Sequence, residues 1–404
     1  MAADTAPSEV LVPDRNTPSA SDRRARLAVL LLFVIEGMTL GGWTSRAPDV
    51  SHGVGLSDTG WGLSYFAATA GEVVALSAIT LLIGRVRTSR LSLAGAVCVL
   101  ASAPLAASAP TIIALLLGIL VYGFAATLLS VPSNAQAAEV ERRYGRPVMS
   151  AFHGAFSVGM LAGGGLGIVA VSAGVPPGAQ IAASSVVLAV LLVATYRWHP
   201  NDAPSESEAK GPRRRLRDRF TPQLRLLAVL AFLVSFTEGA GAYWSAIYTA
   251  DAIGAGAAMG AVAYTSLSAG LAITRLVGDR VTARVGRRRV IRSSSVVAAL
   301  GTVTALSVAH PAAAIVGFAL LGIGVACAMP IIFGLAGDQP GVSTGEGVSV
   351  VALGQWPAFL AAPALIGALT GVVDLRVALL LAVVAAVAMA ALVGRVRSGD
   401  GTPA

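Results

Sequence analysis

Apolar blocks of about twenty residues, divided by short polar segments, run the length of the chain, with none of the strict alternation of a half-buried strand. They fall at 27–47, 60–84, 91–108, 111–136, 148–173, 178–197, 225–250, 257–279, 289–308, 311–334, 347–371 and 376–394. About twenty helical residues match the roughly 30 Å hydrocarbon core of a bilayer. A spanning helix also satisfies its own backbone polar groups in lipid. The pattern therefore predicts an all-α integral membrane protein with twelve transmembrane helices, and not an outer-membrane barrel of short alternating strands. Pro104 and His310 crowd the ends of spans three and nine.

The hydropathy drops once for long, in the stretch WHPNDAPSESEAKGPRRRLRDRFTP between Trp198 and Pro222. Six spans precede it and six follow, and the first span of each half carries the same element. LLFVIEGMTLGGW places Glu36, Gly37 and Trp43 in span one; AFLVSFTEGAGAYW places Glu238, Gly239 and Trp244 in span seven. This is a parallel internal repeat of six helices. The expected organisation is a tail (1–22), a six-helix bundle (23–199), a linker (200–222), a second bundle (223–397) and a short tail (398–404).

Composition agrees. The chain is 55% hydrophobic and 12% charged, against about 25% charged in soluble domains. Its net charge of +8 does not point to nucleic acid, because the basic residues cluster at alternate connections: DRRAR, GRVRTSR, ERRYGR, RRRLRDR, RVGRRR and the final GRVR. By the positive-inside rule, both termini and the linker are expected in the cytoplasm and the loop at His52 outside. Loop 10–11, GDQPGVSTGEG, departs from this parity. Span one is an uncleaved first helix rather than a signal peptide. Cys98 and Cys327 sit inside spans and are expected to be core packing, not a disulfide or metal pair.

Glu36, Glu72 and Glu238 stand near the centres of apolar spans, with no Lys or Arg expected at comparable depth. An ionised acid at mid-membrane costs at least about 2.5–3.5 kcal/mol, so such groups normally face a cavity or are protonated. They are the candidate proton-coupling residues; the competing role is a protonated carboxyl that ties helices together. Trp43, Tyr243 and Trp244 lie toward the outside from those acids, Trp43 and Trp244 about two turns along on a shared face. They suit a polar organic ligand, or act as interfacial anchors. Arg46 is an outer-gate candidate, or a side chain snorkelling to the interface. Asn134 and Gln136 end span four, where amides either bind substrate or hold span four against span one. Gln355, with Trp356 and Pro357, is expected to interrupt span eleven and supply a polar contact. Glu139, Glu141, Arg142, Arg143 and Arg146 form a loop network, and His153 either titrates or bridges loop groups. Gly159, Gly163 and Gly167 form a packing stripe on span five. No phosphate loop, zinc spacing or nucleophile–base constellation occurs, so neither a cofactor nor a metal is expected.

The segment RLVGDRVTARVGRRR, Arg275–Arg289, resembles the loop signature of the major facilitator superfamily; the equivalent loop 2–3, GRVRTSR, lacks the Asp. The resemblance covers residues 23 to 397. It implies two six-helix bundles around a central cavity, alternating access, and an inner gate at Arg275, Gly278, Asp279 and Arg280. It also strengthens substrate contact at Asn134 and Gln136. Three segments, at 36–48, 133–163 and 238–248, resemble more narrowly the YbjJ-type branch related to the fucose-permease group of proton-coupled carriers. Drug exporters of the superfamily carry a Gly-Pro pair in the fifth helix, which GMLAGGGLGIVA lacks. The expectation is a monomeric, multi-pass plasma-membrane carrier that couples protons to a small polar organic solute, not an enzyme. Proton antiport of a drug or natural product is the alternative; a membrane-embedded enzyme and a non-transporting sensor are remote ones.

Overall fold

In the computed structural model, which describes residues 18–82, 85–145, 148–200, 221–339 and 344–396, the regular elements are all helical. The first six spans are α1 (Ala20–Ser45), α3 (Asp58–Leu82), α4 (Thr88–Ala107), α5 (Ile112–Tyr144), α6 (Met149–Ser172) and α7 (Pro177–Thr195), with a short α2 (Ala47–Gly53) after α1. The second six are α8 (Pro222–Ile247), α9 (Gly256–Val285), α10 (Arg287–Ser307), α11 (Pro311–Val325) running into α12 (Ala328–Gly337), α13 (Thr344–Leu369), and α14 (Leu375–Ala378) running into α15 (Leu380–Leu392). Twelve of these stretches are long and apolar enough to cross a membrane. Their outward faces carry Val73, Leu81, Leu105, Ile113 and Val193, all exposed as a lipid-facing surface requires.

Span ends match the hydropathy pattern closely except where a helix continues beyond its apolar part. α1 starts at Ala20 because Ser19 caps it: the Ser19 hydroxyl accepts from the Asp22 amide at 3.1 Å while Asp22 reaches back to the Ser19 amide at 3.1 Å, a reciprocal capping box. α5 runs to Tyr144 through the good helix formers of AQAAEVERR, and stops at Gly145, whose φ of 61° favours glycine. Pro222 and Pro311 open α8 and α11 behind Thr221 and His310, whose side chains accept the first free amides, as helix starts require. α13 is a correction: Pro357 and Pro363 lie inside an unbroken helix, since a transmembrane helix tolerates a missing donor when its neighbours re-satisfy the backbone.

The repeat extends to packing. Within the first six spans α1 packs on α6, α3 on α5, α4 on α5 and α4 on α7; the corresponding pairs α8–α13, α9–α11, α10–α11 and α10–α15 pack in the second six. The most extensive cross-half contacts, α3–α13 and α6–α9, join the sets. On the face that carries α2, His52 Nε2 meets Asp251 Oδ2 at 3.0 Å, Thr59 meets Thr370 at 3.2 Å, and Gly62 lies against Pro363 and Gly367. The halves therefore touch closely at the α2 face.

Candidate functional site

Glu36 sits midway along α1, where the helix is pressed onto α6. A Cβ at Gly37 would overlap the Phe156 carbonyl oxygen, and Gly159 and Gly163 of α6 meet the Val34 and Met38 carbonyls in turn. The glycine stripe is thus packing, as its spacing indicated. The backbone contact fixes α1 and aims Glu36 toward α5, where Ser130 and Tyr122 lie beside it. Glu72 of α3 shares Tyr122 as a neighbour and also meets the field of Tyr243 from the second half. Glu238 of α8 faces Tyr243 and Tyr264. The three glutamates converge on one cluster of tyrosines between the halves.

The rings interlock. Trp43 stacks on Trp61 at 6.3 Å and on Tyr122 at 6.1 Å; Trp61 stands edge-on to Tyr65, and Tyr65 meets Tyr243 across the halves at 4.5 Å between centroids. Trp61, Tyr65, Tyr122 and Tyr264 are members that the sequence reading missed. Only Tyr122 carries a legible signal, since it lies near the middle of span 111–136, too deep for the interfacial belt.

Arg275 is the main correction. Its guanidinium donates from one terminal nitrogen to Glu238 Oε1 at 3.1 Å and from the other to the Ser157 hydroxyl on α6 at 3.2 Å. A basic side chain therefore does reach a mid-span glutamate. At about 1.5 Å per residue, Arg275 lies roughly 8 Å nearer the linker end than Glu238, a gap its long side chain spans. Glu238 and Arg275 are 21% and 25% exposed although both lie within spans, so the pair borders an accessible space.

Other candidates separate from the cluster. Arg46 does not snorkel: it is 3% exposed and donates to Asp49 at 2.7 Å, to the Val175 carbonyl at 2.8 Å and to Gln180 at 3.4 Å. Its length lets it tie the end of α1 to α7, all within one half. Gln136 is fully buried; it donates to Ser92 at 2.5 Å and meets His199 Nδ1 at 3.0 Å, so its amide clamps α5 to α4 and the end of α7. Asn134 donates to the Ser130 carbonyl one turn back, at 2.9 Å, which keeps it beside the Glu36 neighbourhood. Trp244 is buried in the second half's core because Tyr243, one residue earlier, takes the inward face. Trp43 is likewise buried and is no interfacial anchor. Gln355 stands half-buried on α13 with no hydrogen bond among the described residues. Gly278 packs against Cys327, Arg280 is exposed near the linker end of α9, and the side chain of Asp279 lies outside the described residues. Cys98 is on the exposed face of α4 and not in the core, whereas Cys327 is buried.

At the linker end, Glu139 pairs with Arg142 and Arg143, and Glu141 accepts the Val148 and Met149 amides at 2.7 Å each, opening α6. That is the expected loop network; Arg146 lies outside the described residues. His153 stands edge-on to Phe33 at 5.5 Å, within α6 and not in the loop. Among the described residues no group of three or more His, Cys, Asp or Glu is placed to hold a metal ion.

No protein-family model matches the chain. An uncharacterised MFS-type transporter of Yersinia pestis is 30% identical over 377 residues, covering 90% of this chain and 95% of the relative. Membrane protein MosC of Rhizobium meliloti is 29% identical over 417 residues, covering 97% and 99%. Among solved structures, the nucleoside transporter NupG superposes with a TM-score of 0.74 at 13% identity, over 92% of this chain and 99% of that one. A bacterial homologue of the human lysosomal transporter Spinster, inward-facing and occupied, superposes with a TM-score of 0.71 at 15% identity, over 93% and 97%. At such low identity the superpositions establish the fold, and the full-length relative establishes the lineage. With twelve spans, that fold and that relative together, the chain belongs to the major facilitator superfamily of membrane transporters.

Proposed function

We propose that this chain is a proton-coupled carrier that moves a small polar organic solute across the plasma membrane by alternating access, working as a monomer with both termini in the cytoplasm. Glu36 is the main proton carrier and Glu72 the second; Glu238, held by Arg275, serves the substrate side of the second bundle. The observation that carries this reading is the convergence of three mid-span carboxyls on one tyrosine cluster, of which only Glu238 has a cationic partner among the described residues. A carboxyl without a counter-ion in a dry span must hold a proton, and it can release that proton when the surrounding space opens to water. Aromatic faces with phenol hydroxyls suit a ring or polyol. The similarity to NupG, a nucleoside transporter, and the resemblance to the fucose-permease group support a solute of that size.

The division into bundles at 23–199 and 223–397, with the linker between them, belongs to the same reading: the two sets rock about the α3–α13 and α6–α9 contacts. The Arg275–Arg289 signature forms the hinge-side gate, with Asp279 its anchor. The test is a thermal-shift screen of the purified protein for stabilising solutes, followed by flux of each hit in proteoliposomes. Flux driven by an imposed pH gradient supports the proposal; flux indifferent to that gradient contradicts proton coupling.

A further inference from the structure

Two of the three central carboxyls lack a fixed positive charge. Glu238 has Arg275, whereas among the described residues no Lys, Arg or His ion-pairs with Glu36 or Glu72. The titratable group in range of Glu36 is Tyr122; Tyr122 and Tyr243 are in range of Glu72. Arg275 is spent on Glu238 and Ser157, and His153 lies in the field of Arg275 and edge-on to Phe33. Each unpaired carboxyl must therefore be neutralised by something that arrives from solution.

The surroundings select what arrives. Trp43, Trp61 and Tyr122 stack, and Tyr65 and Tyr243 close over one another. Ring faces carry the negative side of the π quadrupole and attract ammonium groups over neutral or anionic groups of the same shape. An independent sign of an incomplete site is the Trp61 Nε1 of the same stack: it is buried and unpartnered, in a residue 1% exposed. Buried polar atoms are normally partnered, and a donor-only indole asks for an acceptor.

We propose that the central site takes a small organic ammonium cation that also carries a hydroxyl. Its nitrogen sits at Glu72, in range of Tyr122 and Tyr243, and its hydroxyl accepts from the orphaned Trp61 indole. The step balances as an exchange: the protonated carboxyl gives up one proton to solvent as one cation pairs with the carboxylate, so charge at the site is unchanged. This rests on Glu36 and Glu72 being the protonated groups of the transport cycle. A neutral solute leaves the carboxyl protonated, and an anion meets two acids and an arginine already engaged.

The experiment titrates the purified full-length protein, by tryptophan fluorescence and calorimetry, with glucosamine, glucose and glucuronate, and with choline and its neutral isostere dimethylbutanol. It is run on both sides of neutral pH. The cations should bind at least about tenfold tighter than their neutral counterparts, weaken as pH falls, and release a proton into weak buffer. Glucuronate should be the poorest ligand. The Glu36→Gln/Glu72→Gln variant should lose the cation preference; if that variant fails to fold, the ligand ranking of the unaltered protein decides alone. Neutral ligands binding as well as cations, or no cation binding at all, overturns the proposal. Gradient-driven flux of a neutral solute alone would remove this inference and leave the carrier reading intact. Cation binding with proton release but no flux in proteoliposomes would do the reverse.

Discussion

The first helix of each half presents the same Glu-Gly element in two different chemical settings. On α1, Glu36 stands beside Ser130 and Tyr122 without a counter-ion among the described residues; on α8, Glu238 is tied to Arg275, which also reaches Ser157 in the other half. The glycines differ as well. Gly37 touches the backbone of α6, whereas the nearest atom to a Cβ at Gly239 would be the Ala362 methyl at 3.1 Å. Duplication preserved the packing plan, α1 on α6 and α8 on α13, while the charge at the centre became asymmetric. One half keeps a carboxyl with no cationic partner among the described residues; the other holds its carboxyl in a pair. The proposed cycle assigns the proton to the unpaired one.

The strongest way to break the comparison is steric. Gly37→Leu drives a side chain into the Phe156 backbone. Because overpacking typically costs about 1–3 kcal/mol even where side chains can adjust, this variant should fail to yield a stable protein in detergent. Gly239→Ala, which meets only side-chain atoms, should shift the melting temperature slightly. Equal effects in the two halves would mean that the two interfaces are alike after all.

Next comes the fixed pair. Arg275→Ala leaves Glu238 without its cation; for this part-buried pair the loss should lie between the about 1 kcal/mol of an exposed pair and the about 3 kcal/mol of a buried one, and thermal unfolding in detergent should fall accordingly. Arg275→Gln combined with Glu238→Gln removes both charges and should restore most of the loss. Failure of the double variant to recover would place the arginine's contribution in Ser157, and not in Glu238.

The sequence made the spans legible because apolar runs of membrane length have few other uses, and the repeat because the Glu-Gly element returns after the linker. Charge partnership was not legible. Arg275 lies beside the Gly278-Asp279-Arg280 signature and reads as part of a loop, yet its side chain turns back into the span. Gln136 looks like a substrate amide until Ser92 and His199, from distant segments, occupy it. Tyr65, Tyr122 and Tyr264 come from three spans, and only their packing shows that they surround one site. Arg46 reads as a snorkelling residue because its acceptors, Val175 and Gln180, lie well over a hundred residues away.

A smaller effect follows from His199, just past the end of span six. Burial pushes it from 6.5 down to about 4, so the folded protein holds it neutral against Gln136. The unfolded chain binds that proton more readily, so this contribution is full above about pH 6.5 and declines as pH falls toward about 4. His199→Gln should flatten the acid limb of a melting-temperature profile. The smallest expected effect is at the α2 face, where the His52–Asp251 pair is substantially exposed. Asp251→Asn should cost no more than about 1 kcal/mol and raise the reactivity of a cysteine introduced at Thr59, by loosening contact between the halves.

The central claim is that Glu36 loads and releases the proton while Glu238 does not. Glu36→Gln keeps the shape and hydrogen bonding of the protonated acid and removes its titration. Solute flux in proteoliposomes, with and without an imposed pH gradient and beside exchange under no gradient, tests this most directly. The account predicts that Glu36→Gln retains exchange but loses gradient-driven accumulation; accumulation equal to that of the unaltered protein would contradict it and reduce Glu36 to a carboxyl that ties helices together.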